Sequence, residues 1–289
     1  MLIWSSQGVV VRTSGLPVET LVCYSNLFAM AGQSLILLSP SIRKAIPPLN
    51  QFHYIIIYAI LVLLNTMAYF IAFEKTSIAN AVFTHYIAPV VVAVLAPLVL
   101  KEKITPLTIV SLIVATLGLW FILGDISLSE LFSSGSAGRN SNRTGILAGL
   151  ASGVAYALII IFVKVFSLKY NAYFIVFFQN SFVALSTLPI VFTSVGVRHT
   201  PDAGLGSLLI FIMMAIMYST VAPYLYYSGM TRVEANRAAI LGYVEPVGAL
   251  TFGAVFLSET PQLRSLIGGA LILLSGCLVI RGMRAPVSK

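Results

Sequence analysis

Ten transmembrane helices in an all-α membrane protein, laid out as an inverted 5+5 repeat with a truncated first helix, are expected from three observations. Apolar residues make up 58% of the 289-residue chain and charged residues 9%, against about 25% charged in an ordinary soluble domain. A soluble core of this length could not hide so much apolar surface, so lipid must be the solvent for much of it. Apolar runs of about 20 residues recur between polar breaks, the length a helix needs to cross a bilayer. The chain also repeats itself: residues 69–102 align without a gap on 226–259, at a constant offset of 157.

The apolar spans fall, in order, at 1–12, 17–39, 52–73, 77–99, 104–123, 145–167, 172–193, 206–229, 235–257 and 262–282. The breaks between them carry turn and charge chemistry: Arg43-Lys44 with Pro47-Pro48, Glu74-Lys75, Lys101-Glu102-Lys103, Arg198 to Pro201, and Glu259-Thr260-Pro261. The longest, 125–144, is rich in Ser, Gly and Asn and reads as a flexible linker between a first repeat, 1–124, and a second, 145–289. Span one is short. Tyr156 and Lys164 in span six match Trp4 and Arg12 in span one, yet 19 residues of span six precede Lys164 and only 11 precede Arg12. Roughly eight residues of helix are therefore expected to be missing from the start. A mis-started chain is favoured over a half-span, because unpaired backbone in lipid costs several kcal/mol per group.

Five spans per copy is an odd number, so the second copy must enter the membrane upside down relative to the first. Lysine and arginine set the orientation. With both termini cytoplasmic, the inner segments hold 11 of the 17 basic residues and the outer ones 6. The net charge of +8 is spread singly between apolar runs, which fits topology signals and argues against nucleic acid. Cys23 and Cys277 lie in apolar stretches of opposite halves and read as small buried side chains.

Seven of the 34 aligned pairs are identical: Tyr69/Tyr226, Ala81/Ala238, Tyr86/Tyr243, Pro89/Pro246, Val90/Val247, Leu100/Leu257 and Glu102/Glu259. A proline interrupts each apolar run and a glutamate closes it. Two apolar units with matching helix breakers are the sequence sign of a repeat-built membrane transporter. Further marks are Ile87-Ala88-Pro89 and Val244-Glu245-Pro246, then Leu100-Lys101-Glu102 and Leu257-Ser258-Glu259, then the glycines of the closing helices, Gly118, Gly268, Gly269 and Gly276. On these residues each copy resembles the EamA-like unit of the drug/metabolite transporter superfamily, over nearly the whole chain. The resemblance implies ten helices, an inverted repeat, a central cavity and alternating access in the cell (plasma or inner) membrane. It implies a small-molecule solute such as an amino acid, another small metabolite or a drug, with export favoured over import.

Glu245 leads the candidate site. It is the eleventh of about 23 residues in span nine, near the bilayer centre, where a carboxylate costs at least about 2.5–3.5 kcal/mol unless paired, hydrated or protonated. That suits a proton-coupling group; a structural Glu bonded within its helix is the alternative. A mid-helix proline removes one hydrogen bond and pushes away the carbonyl four residues earlier. Pro89 and Pro246 are thus expected to kink spans four and nine and to free the carbonyls of His85 and Gly242. His85 corresponds to Gly242 under the repeat, and Glu245 to Ala88, so His85 and Glu245 occupy related helix faces. A His beside a buried carboxyl would make a proton relay; a His bonded to a backbone carbonyl is the other reading.

Asn65, Tyr69, Tyr156, Tyr218, Tyr224 and Trp4 are further candidates for lining a cavity, each ring offering a π face and a polar tip. Tyr24, Tyr54, Tyr58 and Tyr173 are assigned instead to interfacial belts. Gln179 and Asn180, with Asn26 as their counterpart, are expected to bond between helices. Gly145, Gly149 and Gly153 form a GxxxGxxxG face for close packing; Gly268, Gly269 and Gly276 offer another, against a neighbouring helix or a second copy in a homodimer. Glu102 and Glu259 read as helix N-terminal or loop-fixing charges.

No Gly-rich phosphate loop, HExxH, Cys/His metal set or nucleophile elbow occurs, so neither cofactor nor metal nor enzymatic activity is expected. A nucleotide-sugar or other phosphorylated solute would favour Lys or Arg deep in a span, and only Lys164 and Arg237 approach that. A lipid flippase or a sensor of the same fold is the remaining alternative.

Overall fold

A computed structural model describes residues 1–35, 52–76, 78–123, 137–191 and 204–284. The charges at Arg43, Lys44, Arg198 and Lys289, and residues 125–136 of the linker, lie outside the described residues. Among those described every regular element is helical. The order is α1 (Leu2–Ser5), α2 (Gln7–Ser14), α3 (Val18–Ser34), α4 (Phe52–Lys75), α5 (Ile78–His85), α6 (Ala88–Leu100), α7 (Pro106–Leu123), α8 (Ala137–Ser167) and α9 (Ala172–Ile190). There follow α10 (Leu205–Ile216), a π-helical turn (Met217–Val221), α11 (Ala222–Met230), α12 (Ala235–Gly242), α13 (Val244–Phe256) and α14 (Leu263–Arg284). Among the described residues, eight helical spans are long and apolar enough to cross a membrane, from Phe52–Phe73 to Leu263–Gly282. Of the expected first two, Leu2–Val11 is a shorter apolar helix and α3 has 17 residues.

The apolar periodicity of these helices is weak because both faces meet apolar surroundings, and the small residues mark the inside. Ala72, Ala81, Ala88, Ala96, Ala115 and Ala157 are fully buried, while Val94, Leu98, Ile113 and Leu117 are about half exposed or more. In a membrane protein those exposed faces are solvated by lipid. Cys23 is buried as expected; Cys277 is exposed on α14, a correction that lipid makes inexpensive. The linker reading also changes: α8 begins at Ala137, inside the segment taken as flexible. The Thr76 hydroxyl donates to Asn142 Oδ1, and this anchors the polar first turns of α8.

Two compact units divide the chain, residues 1–63 with 163–232 and residues 64–162 with 233–289. In the first, α3 packs along α9 and α10. Leu21, Phe211, Met214 and Tyr218 form its core, with Ile3, Trp4, Val10 and Phe28 packed against them. Tyr58 belongs to this interior and not to an interfacial belt: it is 1% exposed, and its hydroxyl bonds Gln179 at 2.6 Å and Tyr227 at 2.7 Å. Apolar neighbours look alike in lipid and in a protein core, so composition misplaced it. Asn26 bonds Val22 O in its own helix at 2.7 Å, so it is not the interhelical partner expected.

In the second unit α7 crosses α14, and α12 packs on α6, α7 and α14. Ala115, Leu119, Ile240, Tyr243, Ile272 and Val279 make the core. The crossing is close because it is made of glycines: a Cβ on Gly118 would stand 2.7 Å from Gly268 O, and one on Gly268 would meet Gly118 O in return. The GxxxGxxxG face of α8 lies against residues 75–76 and the end of α5, where a Cβ on Gly153 would come 2.7 Å from His85 O and 2.8 Å from Thr84 O. Both α6 and α13 end in one and the same turn. Lys101 and Ser258, 157 residues apart, have φ of 58° and 55°, and the next amides reach back to Ala96 O at 3.4 Å and Gly253 O at 3.3 Å. The two copies thus share backbone detail as well as residue types.

Gly118→Val should lower the thermal unfolding temperature of the detergent-solubilised protein, at a cost of about 1–3 kcal/mol for overpacking. Gly206→Ala, with nothing within 4 Å of the added Cβ, should leave it unchanged; equal behaviour of the two variants would contradict the crossing.

Candidate functional site

Spans four and nine are each broken in two, and the breaks lie upstream of the prolines. Pro89 has no amide to donate to His85 O, and α5 ends at His85; α6 resumes at Ala88. Pro246 likewise cannot donate to Gly242 O, and α12 ends at Gly242 with α13 resuming at Val244. The His85 carbonyl faces the bare backbone of Gly153 on α8, a position where a side chain would collide with it.

At the first break the second unit gathers its polar and aromatic side chains. The buried His85 imidazole is stacked between two tyrosines, Tyr69 at 4.2 Å and Tyr156 at 5.0 Å between ring centroids. His85 Nδ1 and Ser152 Oγ share a hydrogen bond of 2.5 Å, whose direction depends on the tautomer. Ser152 is itself fully buried, and Asn65 Nδ2 donates to its carbonyl at 2.8 Å. Tyr86 stands edge-on to His85 at 5.6 Å and stacks on Tyr243 at 5.6 Å. Glu245, half-buried on α13, lies two residues beyond Tyr243 at the second break. Through the contact of Tyr243 with Tyr86, the break that carries Glu245 meets the break that carries His85.

Glu102 does different work. Its carboxylate accepts from the amides of Ala235 at 2.7 Å and Asn236 at 3.3 Å, capping the N-terminus of α12 as a helix-fixing charge. Glu259 Oε2 folds back over α13, 2.6 Å from where a Cβ on Gly253 would stand.

The first unit has a break of its own, at the π-helical turn Met217–Val221. Pro223 frees Ser219 O, which accepts from Asn180 Nδ2 at 2.6 Å. Asn180 also donates to Gln33 Oε1 at 3.2 Å, and Gln33 Nε2 donates to Thr220 Oγ1 at 2.8 Å. The Thr220 hydroxyl then bonds Ala215 O at 2.8 Å. Trp4 Nε1 takes Tyr218 O at 3.2 Å, and Ser6 Oγ pairs with the Tyr218 hydroxyl at 2.8 Å. Trp4 of α1 and Asn180 of α9 thus take carbonyls of the irregular turn, as membrane depth requires, and Gln33 of α3 ties Asn180 to Thr220.

Of the residues expected at a site, the second unit brings together Glu245, His85, Tyr69, Tyr156 and Asn65. Trp4 and Tyr218 meet in the first unit, where Tyr224 stacks on Tyr173 at 4.3 Å. Lys164 Nζ is bound to Met230 O at 2.6 Å and Arg237 pairs with Glu234 at 2.6 Å, so both deep cations hold structural bonds. Sequence reasoning passed over Tyr86, Tyr243, Ser152, Gln33 and Thr220. Tyr86 and Tyr243 had a usable signal, being identical across the repeat and adjacent to the breaks. Ser152, Gln33 and Thr220 had none, since a small polar residue in an apolar span bonds its own helix as readily as another.

The sequence pattern of the EamA-like transporter family matches residues 1–124 and 143–281. An uncharacterized transporter of Archaeoglobus fulgidus is 30% identical over 216 residues, which span 75% of this chain and 72% of its own. The uncharacterized transporter YxxF of Bacillus subtilis is 22% identical over 219 residues, 75% of this chain and 66% of its own. One from Helicobacter pylori is 28% identical over 224 residues, 75% and 69%. A crystal structure of another protein superposes with a TM-score of 0.76 at 19% identity, covering 98% of this chain and 96% of that one; the likeness is one of fold.

Asn180→Leu should destabilise the protein by about 1–3 kcal/mol, because Ser219 O loses its donor in a buried setting. Thermal unfolding in detergent measures this; an unchanged midpoint would show that the π-helical turn needs no side-chain support.

Proposed function

The chain belongs to the EamA-like transporter family, and from that membership we propose that it is a secondary carrier that moves a small organic solute outward by alternating access while a proton moves inward through Glu245. It is a multi-pass membrane protein of a transporter family. Beyond that, the proposed arrangement is ten spans in an inverted 5+5 repeat, in the cell membrane with both termini cytoplasmic. The solute class is an amino acid, another small metabolite or a drug-like molecule. The observation that supports the coupling is the contact of the two helix breaks, Tyr243 on Tyr86, which brings the break that carries Glu245 against the one that carries His85.

A carboxyl in the span must be paired, hydrated or neutral. A solute that changes its surroundings can therefore bias its uptake and release of a proton. Tyr69 and Tyr156 add faces that suit a flat or amphipathic solute. A phosphorylated solute is disfavoured, since Lys164 and Arg237 are engaged in structural bonds.

In proteoliposomes loaded with a radiolabelled amino-acid mixture, an acidic exterior should stimulate efflux by the wild type. Glu245→Gln should abolish that stimulation while solute exchange without a gradient persists. Equal gradient dependence in the two proteins would reject Glu245 as the coupling group.

A further inference from the structure

The turn from α13 to α14 borders a cavity of about 240 Å³ at the end of α7. Glu259, Gln262, Arg264 and Ser265 line it from the turn and the start of α14, and Ile122 and Leu250 add apolar wall. A carboxylate and a guanidinium thus share one small space. It is smaller than the roughly 300–1,000 Å³ of pockets that take drug-sized ligands, so it suits a molecule of few heavy atoms.

The two copies use the same glutamate differently here. Glu102 and Glu259 each follow a residue of left-handed backbone, and their amides reach equivalent carbonyls, Ala96 O and Gly253 O. The side chains then part. In the first copy the Ala96 side chain is fully buried, and the Glu102 carboxylate leaves for the amides of Ala235 and Asn236. In the second copy glycine stands in place of that alanine, and Glu259 Oε2 lies 2.6 Å from where its Cβ would be. The missing methyl makes room for the carboxylate at the cavity. Arg264, half-buried, is held in turn: its Nε donates to Gln262 Oε1 at 2.6 Å, which fixes the plane of the guanidinium fork. The Ser265 hydroxyl donates to Ile122 O at 3.4 Å and ties the start of α14 to the end of α7 beside the cavity.

We propose that this cavity is an outer-face subsite for a zwitterionic α-amino acid, an inference that rests on the export role and the orientation given above. The ammonium of the solute meets Glu259, its carboxylate meets Arg264, and a short apolar side chain lies on Ile122 and Leu250. A simple cation or anion satisfies one of the two charges and is repelled by the other. A zwitterion matches both and adds no net charge. With both termini cytoplasmic, the α13–α14 turn and the C-terminal end of α7 face outward, where an exporter delivers its solute. Glu259 is exposed, so water weakens its contact, and the expected dissociation constant is on the order of 1 mM. Binding that weak lets release follow.

Calorimetric titration of the full chain in detergent with L-valine tests the subsite. The wild type should bind valine, while isobutylamine and isovalerate, each with one of the two charges, should bind roughly tenfold more weakly or less. Arg264→Gln should lower valine affinity by roughly tenfold, the loss of one charge-assisted contact. Gly253→Ala gives the second copy the residue of the first. Its methyl meets the end of a flexible side chain and no backbone, so the unfolding midpoint should hold while valine affinity falls. Unchanged valine affinity in either variant, or no valine binding to the wild type, would overturn the subsite. Binding of dihexanoyl phosphatidylethanolamine in place of valine would assign the cavity to a lipid headgroup and overturn it equally. If an acidic exterior drives efflux by the wild type while all three proteins bind valine alike, the carrier reading stands and the subsite falls. Valine binding that both variants lose, without wild-type flux, keeps the site and removes the export role.

Discussion

Pro89, Pro223 and Pro246 each remove an amide donor from a helix that runs through hydrocarbon, and each leaves a carbonyl that lipid cannot satisfy. Much of the polar chemistry of this chain answers that requirement. Ser219 O is taken by Asn180, and Tyr86 O by Tyr243. His85 O looks onto the bare backbone of Gly153. Because the partners come from other helices, each break also ties its unit together, and the side chains that brace it become the polar residues deepest in the span.

That requirement explains where Glu245 sits. A carboxyl placed one residue before a breaking proline lies beside backbone that is already irregular. The break of the other copy lies against this one, since Tyr243 stacks on Tyr86 and donates to its carbonyl. Function grows from the same defect that the fold must repair. A carboxyl, an imidazole and a pair of stacking tyrosines lie within a few residues of the breaks in spans four and nine.

Spans three to ten were legible because a bilayer demands about 20 apolar residues, and their ends agree with the helices to within a few residues except where α8 extends back to Ala137. The breaks were legible too, because proline acts on the carbonyl four residues upstream. Glu102 could be read as a helix-fixing charge from its place at a span end. Tyr58 was misread, since an apolar neighbourhood does not distinguish lipid from core, and the π-helical turn gave no pattern beyond Pro223. The pairing of Tyr86 with Tyr243 was hidden for a different reason. It joins residues 157 positions apart through two backbone breaks, and no local periodicity reports it.

If the breaks border a hydrated path and are not mere packing kinks, a thiol placed there must meet water although it lies at membrane depth. Glu245→Cys, in a chain carrying Cys23→Ser and Cys277→Ser, should react in proteoliposomes with a charged, membrane-impermeant thiol reagent. Leu117→Cys, on an exposed apolar face of α7, should not. Resistance of the cysteine at 245 to the charged reagent, with ready labelling by a lipid-soluble one, would contradict the carrier account.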